Sequence, residues 1–166
     1  PKEIISYVLV SGMYQFDNTI WPRSFLNMYP DKWKQFCNLV NIKGKNLHNP
    51  SLSLQKKICR LYFDKIKKKE AKFVKSWYDL ENSVILTVKE NKNKKIDYDT
   101  AFYESFYYSN NFFFEKDYIQ KNLPIIKKIK GFILHGRLDL LCDFNESYQL
   151  NKQLPNSKLI IQNYEG

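Results

Sequence analysis

Two short apolar runs near the C-terminus, separated by an amphipathic segment, constrain the fold more than any other feature of the sequence. GFILHG (131–136) and KLIIQ (158–162) each have the length of a buried strand. Between them, FNESYQLNKQL (144–154) repeats its apolar residues at helical spacing. A strand, a helix and a second strand in this order predict a βαβ unit, and therefore a parallel sheet.

Residues 4–11 (IISYVLVS) form a third apolar run that ends at Gly12, and we interpret this run as another buried strand. The middle of the chain has helical periodicity instead. The predicted fold class is therefore α/β, with an all-helical insertion within a sheet. We place the core strand at 1–14, the helical insertion at 15–123 and the C-terminal α/β segment at 124–166.

Local signals predict several boundaries inside the helical insertion. Residues 89–99 (KENKNKKIDYD) are rich in lysine and asparagine, which is typical of a solvated loop. Thr100 is the candidate N-cap of a helix that continues to about Ser109. Another helical stretch covers 112–123, and we expect Pro124 to end it.

Composition excludes several classes of protein. The 166 residues include 27 Lys and Arg against 17 Asp and Glu, a net charge of +10, and the hydrophobic fraction of 43% argues against disorder. No apolar run approaches the roughly 20 residues that span a bilayer. The residues shown contain no secretory leader. We therefore expect no association with membranes.

The scarce residue types narrow the chemistry further. Cys37, Cys59 and Cys142 are odd in number and widely spaced, which disfavours a disulfide framework and indicates a reducing compartment, the cytoplasm. They show no metal-binding spacing, so we expect no metal site. The five glycines form no phosphate loop and no dinucleotide-binding loop. With only His48 and His135, a complete Ser-His-Asp triad is hard to assemble from this chain.

Lysines crowd the helical stretch between residues 56 and 75. One interpretation is a surface for nucleic acid. The other is a solvated face in a chain whose composition is biased towards lysine throughout. Arginine, which recognises phosphate in a bidentate manner, is scarce, so we regard nucleic acid as an unfavoured partner.

Three carboxylates are candidates for a functional role. Asp139 lies just past the carboxyl end of a predicted strand, where ligands bind in open parallel sheets. It could be the third member of a catalytic triad, or it could cap the next helix or pair with Arg137. Glu81 and Glu104 follow aromatic residues on apolar helical faces, and each is either a rim residue or offset by a cation.

The sequence HGRLDLLCD (135–143) is similar to a motif around the catalytic aspartate of one enzyme family. The family pattern is His-Gly-Arg-x-Asp-x-x-Cys-Pro, and Asp143 stands where proline is usual. SWYDLE (76–81) is similar to Trp-x-x-Trp-Glu, with Leu80 in place of the second Trp. AFYESFYYSNNFF (101–113) is similar to Glu-Asn-His-Tyr-Phe-x-Asn, with departures at Ser105 and Phe106. By these motifs the chain resembles the prolyl aminopeptidases (proline iminopeptidases).

The resemblance implies the C-terminal portion of an α/β-hydrolase with a helical cap. It implies a serine-type enzyme that releases N-terminal proline from peptides through an acyl-enzyme, with Asp139 orienting the catalytic histidine. In this family the two cap glutamates, here Glu81 and Glu104, bind the free amino terminus of the substrate. The resemblance places Tyr14 and Tyr108 around the proline ring and implies that Trp77 is a further substrate-binding residue. Because Cys142 lies three residues from Asp139, we expect the site to be sensitive to thiol reagents.

The resemblance covers nearly all of the chain but only about the C-terminal half of the family's length. The Gly-x-Ser-x-Gly elbow is absent, and the sequence stops at Glu165-Gly166, one residue before the expected histidine. We therefore expect the chain to be inactive alone, with the N-terminal half of the hydrolase fold as partner and peptides with N-terminal proline as substrate. The alternatives are a hydrolase of other specificity and a non-catalytic basic helical module that binds nucleic acid.

Overall fold

The structure, a computed structural model, describes residues 4–12, 14, 19–84 and 97–165. The chain divides into two compact units. The terminal unit combines Pro1–Asp17 with Glu115–Gly166, and the helical unit is Asn18–Phe114. None of the described helices is long and apolar enough to cross a membrane.

The described part of the helical unit contains five α-helices. They are α1 (Arg23–Met28), α2 (Pro30–Leu39), α3 (Leu52–Ile66), α4 (Ala71–Glu81) and α5 (Tyr98–Ser109). Short 3₁₀ turns follow α2, α4 and α5, at Lys45–His48, Asn82–Val84 and Asn111–Phe113. Ser51 caps α3 by accepting a hydrogen bond from the main-chain N–H of Leu54, which satisfies one of the donors left free at a helix start.

Aromatic side chains form the centre of the helical unit. Trp21, Phe36, Tyr62 and Trp77 are each 1% exposed or less. The rings of Phe36 and Tyr62 stack with centroids 3.9 Å apart, and those of Trp21 and Trp77 lie 5.7 Å apart. The Tyr62 hydroxyl donates to the main-chain oxygen of Phe36 at 2.9 Å. Large rings packed in this way hold α2, α3 and α4 in fixed positions.

The terminal unit contains a three-stranded sheet of β1 (Ser6–Val10), β2 (Lys130–Gly136) and β3 (Ser157–Gln162). The strands are parallel and lie in the order β1-β2-β3, with Val8 beside Phe132 in the register. The mixed α/β fold with a parallel sheet, predicted from the sequence, is confirmed.

Two further helices, α6 (Tyr118–Ile126) and α7 (Phe144–Gln153), belong to this unit. The core of this unit consists of Leu123 of α6, Ile133 of β2, Leu150 of α7 and Leu154, the residue directly after α7. Because Leu123 belongs to this core, residues 115–123 lie in the terminal unit, whereas the predicted helical insertion extended to residue 123.

The prediction that the first strand is buried is wrong. Val8 and Val10 are 63% and 60% exposed, whereas Tyr7 and Leu9 pack against the core of the terminal unit. Side chains alternate between the two faces of a strand, so a helical core on one face buries only every second residue. The apolar run in the sequence does not show which face is covered.

Two helix boundaries also differ from the prediction. The N-cap of α5 is Asp97 rather than Thr100, because its carboxylate accepts the main-chain N–H groups of Asp99 and Thr100. Pro124 does not end α6, which continues to Ile126. The packing of Leu123 and Ile126 in the terminal unit outweighs the lost proline N–H. Of the predicted 89–99 loop, residues 89–96 lie outside the described residues, and residues 98 and 99 are helical.

Candidate active site

Two glutamates of the helical unit are each held by a tryptophan. The Trp21 Nε1–H donates to Glu81 Oε1 at 2.8 Å, and the Trp77 Nε1–H donates to Glu104 Oε2 at 2.7 Å. Glu81 is the last residue of α4, whereas Glu104 lies within α5. Because both indoles belong to the aromatic packing described above, they orient the two carboxylates rigidly.

The surroundings of the two glutamates disfavour their charged forms. Burial and the charge of Glu104 raise the pKa of Glu81 to about 8, although the Trp21 hydrogen bond favours the anion. Burial also raises the pKa of Glu104, against the effect of the Trp77 hydrogen bond. No positively charged side chain of the described residues contributes to either shift. Two desolvated carboxylates that repel each other make a site suited to a cation.

Aromatic rings border this carboxylate pair. The half-buried Tyr108 lies on α5, and its ring centroid is 6.2 Å from that of Trp21 and 6.0 Å from that of Trp77. The structure thus brings together four of the predicted site residues: Trp77, Glu81, Glu104 and Tyr108. Within this set, the indole of Trp77 positions the Glu104 carboxylate through its hydrogen bond.

Sequence reasoning missed Trp21 and the residue that positions it. The Gln55 side-chain oxygen accepts the main-chain N–H groups of Ile20 and Trp21 at 2.8 and 2.9 Å. Its side-chain nitrogen donates to the main-chain oxygen of Pro50 at 3.2 Å. The sequence did contain a signal for this role: Gln55 is a polar residue three positions before Ile58, on the buried face of α3.

Asp139 lies in the turn after β2. Its Oδ1 accepts the main-chain N–H groups of Leu141 and Cys142 at 3.0 and 2.8 Å. Its Oδ2 is 3.6 Å from His135 Nε2, and the side chain is 13% exposed. One carboxylate oxygen is therefore used to hold the turn, and the other accepts neither of these two N–H groups.

The structural alternatives proposed for Asp139 are not realised as predicted. Asp143, rather than Asp139, caps α7 by accepting the main-chain N–H of Asn145. Arg137 does not pair with Asp139: its Nε donates to Asn163 Oδ1 at 3.0 Å. Its guanidinium carbon lies 5.0 Å from the ring centroid of Phe144, which is typical of a cation–π contact.

A buried histidine fixes the turn that carries Asp139. His135 is 0% exposed; its Nε2 lies 2.7 Å from the main-chain oxygen of Cys142, and its Nδ1 lies 2.6 Å from Ser147 Oγ. A carbonyl oxygen only accepts, so Nε2 carries a hydrogen, and in the neutral ring Nδ1 accepts from the Ser147 hydroxyl. Ser147 is also fully buried, so we assign Ser147 and His135 a structural role rather than that of a triad.

The residues after β3 run beside the same turn. The Arg137 N–H donates to the main-chain oxygen of Gln162 at 2.8 Å, and the Leu138 N–H donates to that of Glu165 at 2.9 Å. The turn with Asp139 and the chain at residue 165 are therefore in direct contact.

The other predicted residues of the terminal unit are Tyr14 and Cys142. The Tyr14 main-chain N–H donates to Glu146 Oε2 at 2.6 Å, and its ring packs against the core of the unit. Burial raises the pKa of Tyr14, whose hydroxyl lies near Ser147.

Among the described residues, no group of three or more His, Cys, Asp or Glu side chains could hold a metal ion.

Comparisons with known proteins give low but consistent similarity. No protein-family model matches the chain. The proline iminopeptidase of Arabidopsis thaliana is 28% identical over 145 residues, which are 81% of this chain and 36% of that protein. A Mycoplasma pneumoniae protein provisionally named proline iminopeptidase is 25% identical over 96 residues, 55% of this chain and 31% of that protein. The chain thus spans about a third of the length of these relatives.

Among solved structures, an acetylester hydrolase from Corynebacterium glutamicum matches all of this chain and 48% of its own, with 14% identity and a TM-score of 0.42. The similarity to the proline iminopeptidases that the sequence motifs predicted is confirmed by the two relatives named for that activity.

Proposed function

We propose that this chain carries the amine-binding site and the triad aspartate of a prolyl aminopeptidase, a serine-type hydrolase that releases N-terminal proline from peptides. The observation that carries the proposal is the pair of indole-held carboxylates, Glu81 and Glu104. The names of the relatives support the same activity.

An N-terminal proline presents a secondary ammonium on a small apolar ring. Moving such a cation out of water is costly unless carboxylates offset the lost hydration. With its pKa raised to about 8, Glu81 retains a proton at neutral pH, and an incoming ammonium takes the place of that proton. In this proposal Tyr108 contacts the proline ring, and Trp77 acts through its hydrogen bond to Glu104.

In the proposed reaction, a serine hydroxyl attacks the prolyl carbonyl carbon while a histidine accepts its proton and passes it to the leaving amine. Water then hydrolyses the prolyl ester by the same route. Asp139 Oδ2 would orient the histidine. A histidine soon after residue 165 would lie beside the Asp139 turn, a placement that the Leu138–Glu165 contact supports.

The nucleophile would come from the N-terminal half of the hydrolase fold, which these 166 residues do not contain. We propose that the chain alone is catalytically silent and that the complete enzyme needs no metal and no organic cofactor. Nucleic-acid binding is not part of the proposal. Within the lysine-rich stretch, Lys65 pairs with Glu70, and Lys75 pairs with Asp79.

The test is binding of L-prolinamide to the 166-residue chain, followed by nuclear magnetic resonance. N-acetyl-L-prolinamide, which lacks the charge, is the matched ligand. We expect Glu81→Gln and Glu104→Gln each to weaken L-prolinamide binding about tenfold or more, as expected for hydrogen bonds to charged groups. Glu115→Gln, at an exposed glutamate of the terminal unit, should change nothing. Equal binding of the acetylated ligand would refute the amine site.

A further inference from the structure

One cavity of the helical unit has neither Glu81 nor Glu104 among its lining residues. It is an open groove of about 810 Å³ between the end of α1, one side of α2 and the segment from Lys43 to His48. Its apolar lining consists of Leu26, Pro30, Trp33 and Leu47. The volume lies within the range of small-molecule sites, about 300–1,000 Å³.

The wall of this groove is fixed by hydrogen bonds. Trp33 is 2% exposed, and its Nε1–H donates to the main-chain oxygen of Leu47 at 2.9 Å. The Ile42 N–H donates to the main-chain oxygen of Cys37 at 3.0 Å, which ties the segment after α2 to the end of that helix. The groove is therefore formed before any ligand arrives.

The rim of the groove is basic. Lys34, Lys43 and His48 line it and are exposed, and no acidic side chain is among the lining residues that the structure describes. Within the described part of the chain, neither lysine forms an ion pair. The groove therefore has an apolar floor with two lysine charges above it.

We propose that this groove binds a small amphipathic anion, a carboxylate at the end of an apolar chain, with about eight carbons in all. The apolar body would displace water mainly from Pro30 and Leu47, and the carboxylate would lie between Lys34 and Lys43. A neutral ligand would leave the lysine charges unused, and a cationic one would be repelled by them.

The nuclear magnetic resonance signal of the Trp33 indole N–H can report ligand binding, because this group lies at the wall of the groove. The sequence contains three tryptophans; Trp33 bonds at the groove wall, whereas Trp21 and Trp77 bond to the glutamates. In the full ¹⁵N-labelled chain, Trp33→Phe assigns the Trp33 indole signal. Octanoate should shift that signal saturably at concentrations below those at which it forms micelles.

Charge specificity is tested with octan-1-ol and octyltrimethylammonium, which have the same chain length. Both should bind more weakly than octanoate. The double variant Lys34→Gln/Lys43→Gln should raise the octanoate Kd about three- to tenfold, as expected for exposed charge pairs. Lys67→Gln/Lys68→Gln removes the same charge at exposed positions outside the groove and should leave the Kd unchanged.

The proposal is overturned if octanoate leaves the Trp33 signal in place, if octan-1-ol binds as tightly as octanoate, or if the two double variants behave alike. L-prolinamide is expected to shift the signals of Trp21 and Trp77 instead. If the groove does not bind octanoate, the Trp33 signal stays in place; if the glutamate pair does not bind the amine, the Trp21 and Trp77 signals stay in place. The two proposals can therefore fail independently.

Discussion

The Trp77 indole donates its N–H to the carboxylate of Glu104 across the interface between α4 and α5. Trp77 is 1% exposed and packs against three other aromatic rings of the core. A core residue thus sets the direction of a carboxylate, so the packing of the helical unit and the geometry of the candidate site depend on each other.

Trp77→Phe should keep most of the aromatic packing and remove the donor to Glu104. Because that hydrogen bond favours the anion, its loss should raise the pKa of Glu104 further and weaken L-prolinamide binding about tenfold. Carboxyl ¹³C titration of Glu104 measures the first effect. Trp33→Phe, which removes a donor to a main-chain oxygen instead, is the control and should leave that pKa in place.

The stability of the chain should depend on pH through Glu81. The pKa of Glu81 is raised from 4.5 to about 8, so the folded state holds a proton that the unfolded state releases between these values. The free energy of unfolding should therefore fall as pH rises through this window, by up to about 1.4 kcal/mol per pH unit. Urea unfolding at pH 5, 7 and 9 measures this slope.

Glu81→Gln should flatten this dependence, and at pH 9 it should be more stable than the unaltered chain. Glu115→Gln should retain the full slope. An identical slope in the Glu81→Gln variant would show that Glu81 is charged throughout the window.

The sequence predicted the parallel sheet because strand-length apolar runs and the helix between them are local signals. It did not predict the bond between Trp21 and Glu81, which joins residues 60 positions apart. Such a bond depends on how α3 and α4 pack against the segment before α1, and no local periodicity encodes that packing. The resemblance identified Glu81 and Glu104, but not the indoles that hold them.

The cap of α5 shows a smaller limit of the same kind. Asp97 and Thr100 are both good N-cap residues, and sequence preference does not separate them. The structure selects Asp97, whose carboxylate also accepts the hydroxyl of Thr100.

Cys142 should react with N-ethylmaleimide before the other two cysteines. Burial raises the pKa of Cys37 to about 12 and that of Cys59 well above its usual value, whereas Cys142 is only partly buried. Because the Cys142 main chain bonds to both Asp139 and His135, the adduct should shift the resonances of those two residues. Cys142→Ser, treated identically, should show no shift. An adduct that leaves both resonances in place would contradict the predicted thiol sensitivity.

His135→Ala should destabilise the chain by roughly 3 kcal/mol, because it leaves a cavity and removes the hydrogen-bond partner of Ser147 and of the Cys142 carbonyl. Urea unfolding measures the loss. His48→Ala, at an exposed histidine of the helical unit, is the matched control and should cost little. If both variants lose the same stability, the hydrogen bonds of His135 do not hold the turn.

The most direct test of the central claim is a count of the protons released when L-prolinamide binds at pH 7. Calorimetric titrations in two buffers with different ionisation enthalpies give this count. If the ammonium replaces the proton on Glu81, up to one proton should leave for each ligand bound, and Glu81→Gln should abolish the release. Binding without proton release, or the same release from the Glu81→Gln variant, would contradict the assignment of the glutamate pair as the amine site.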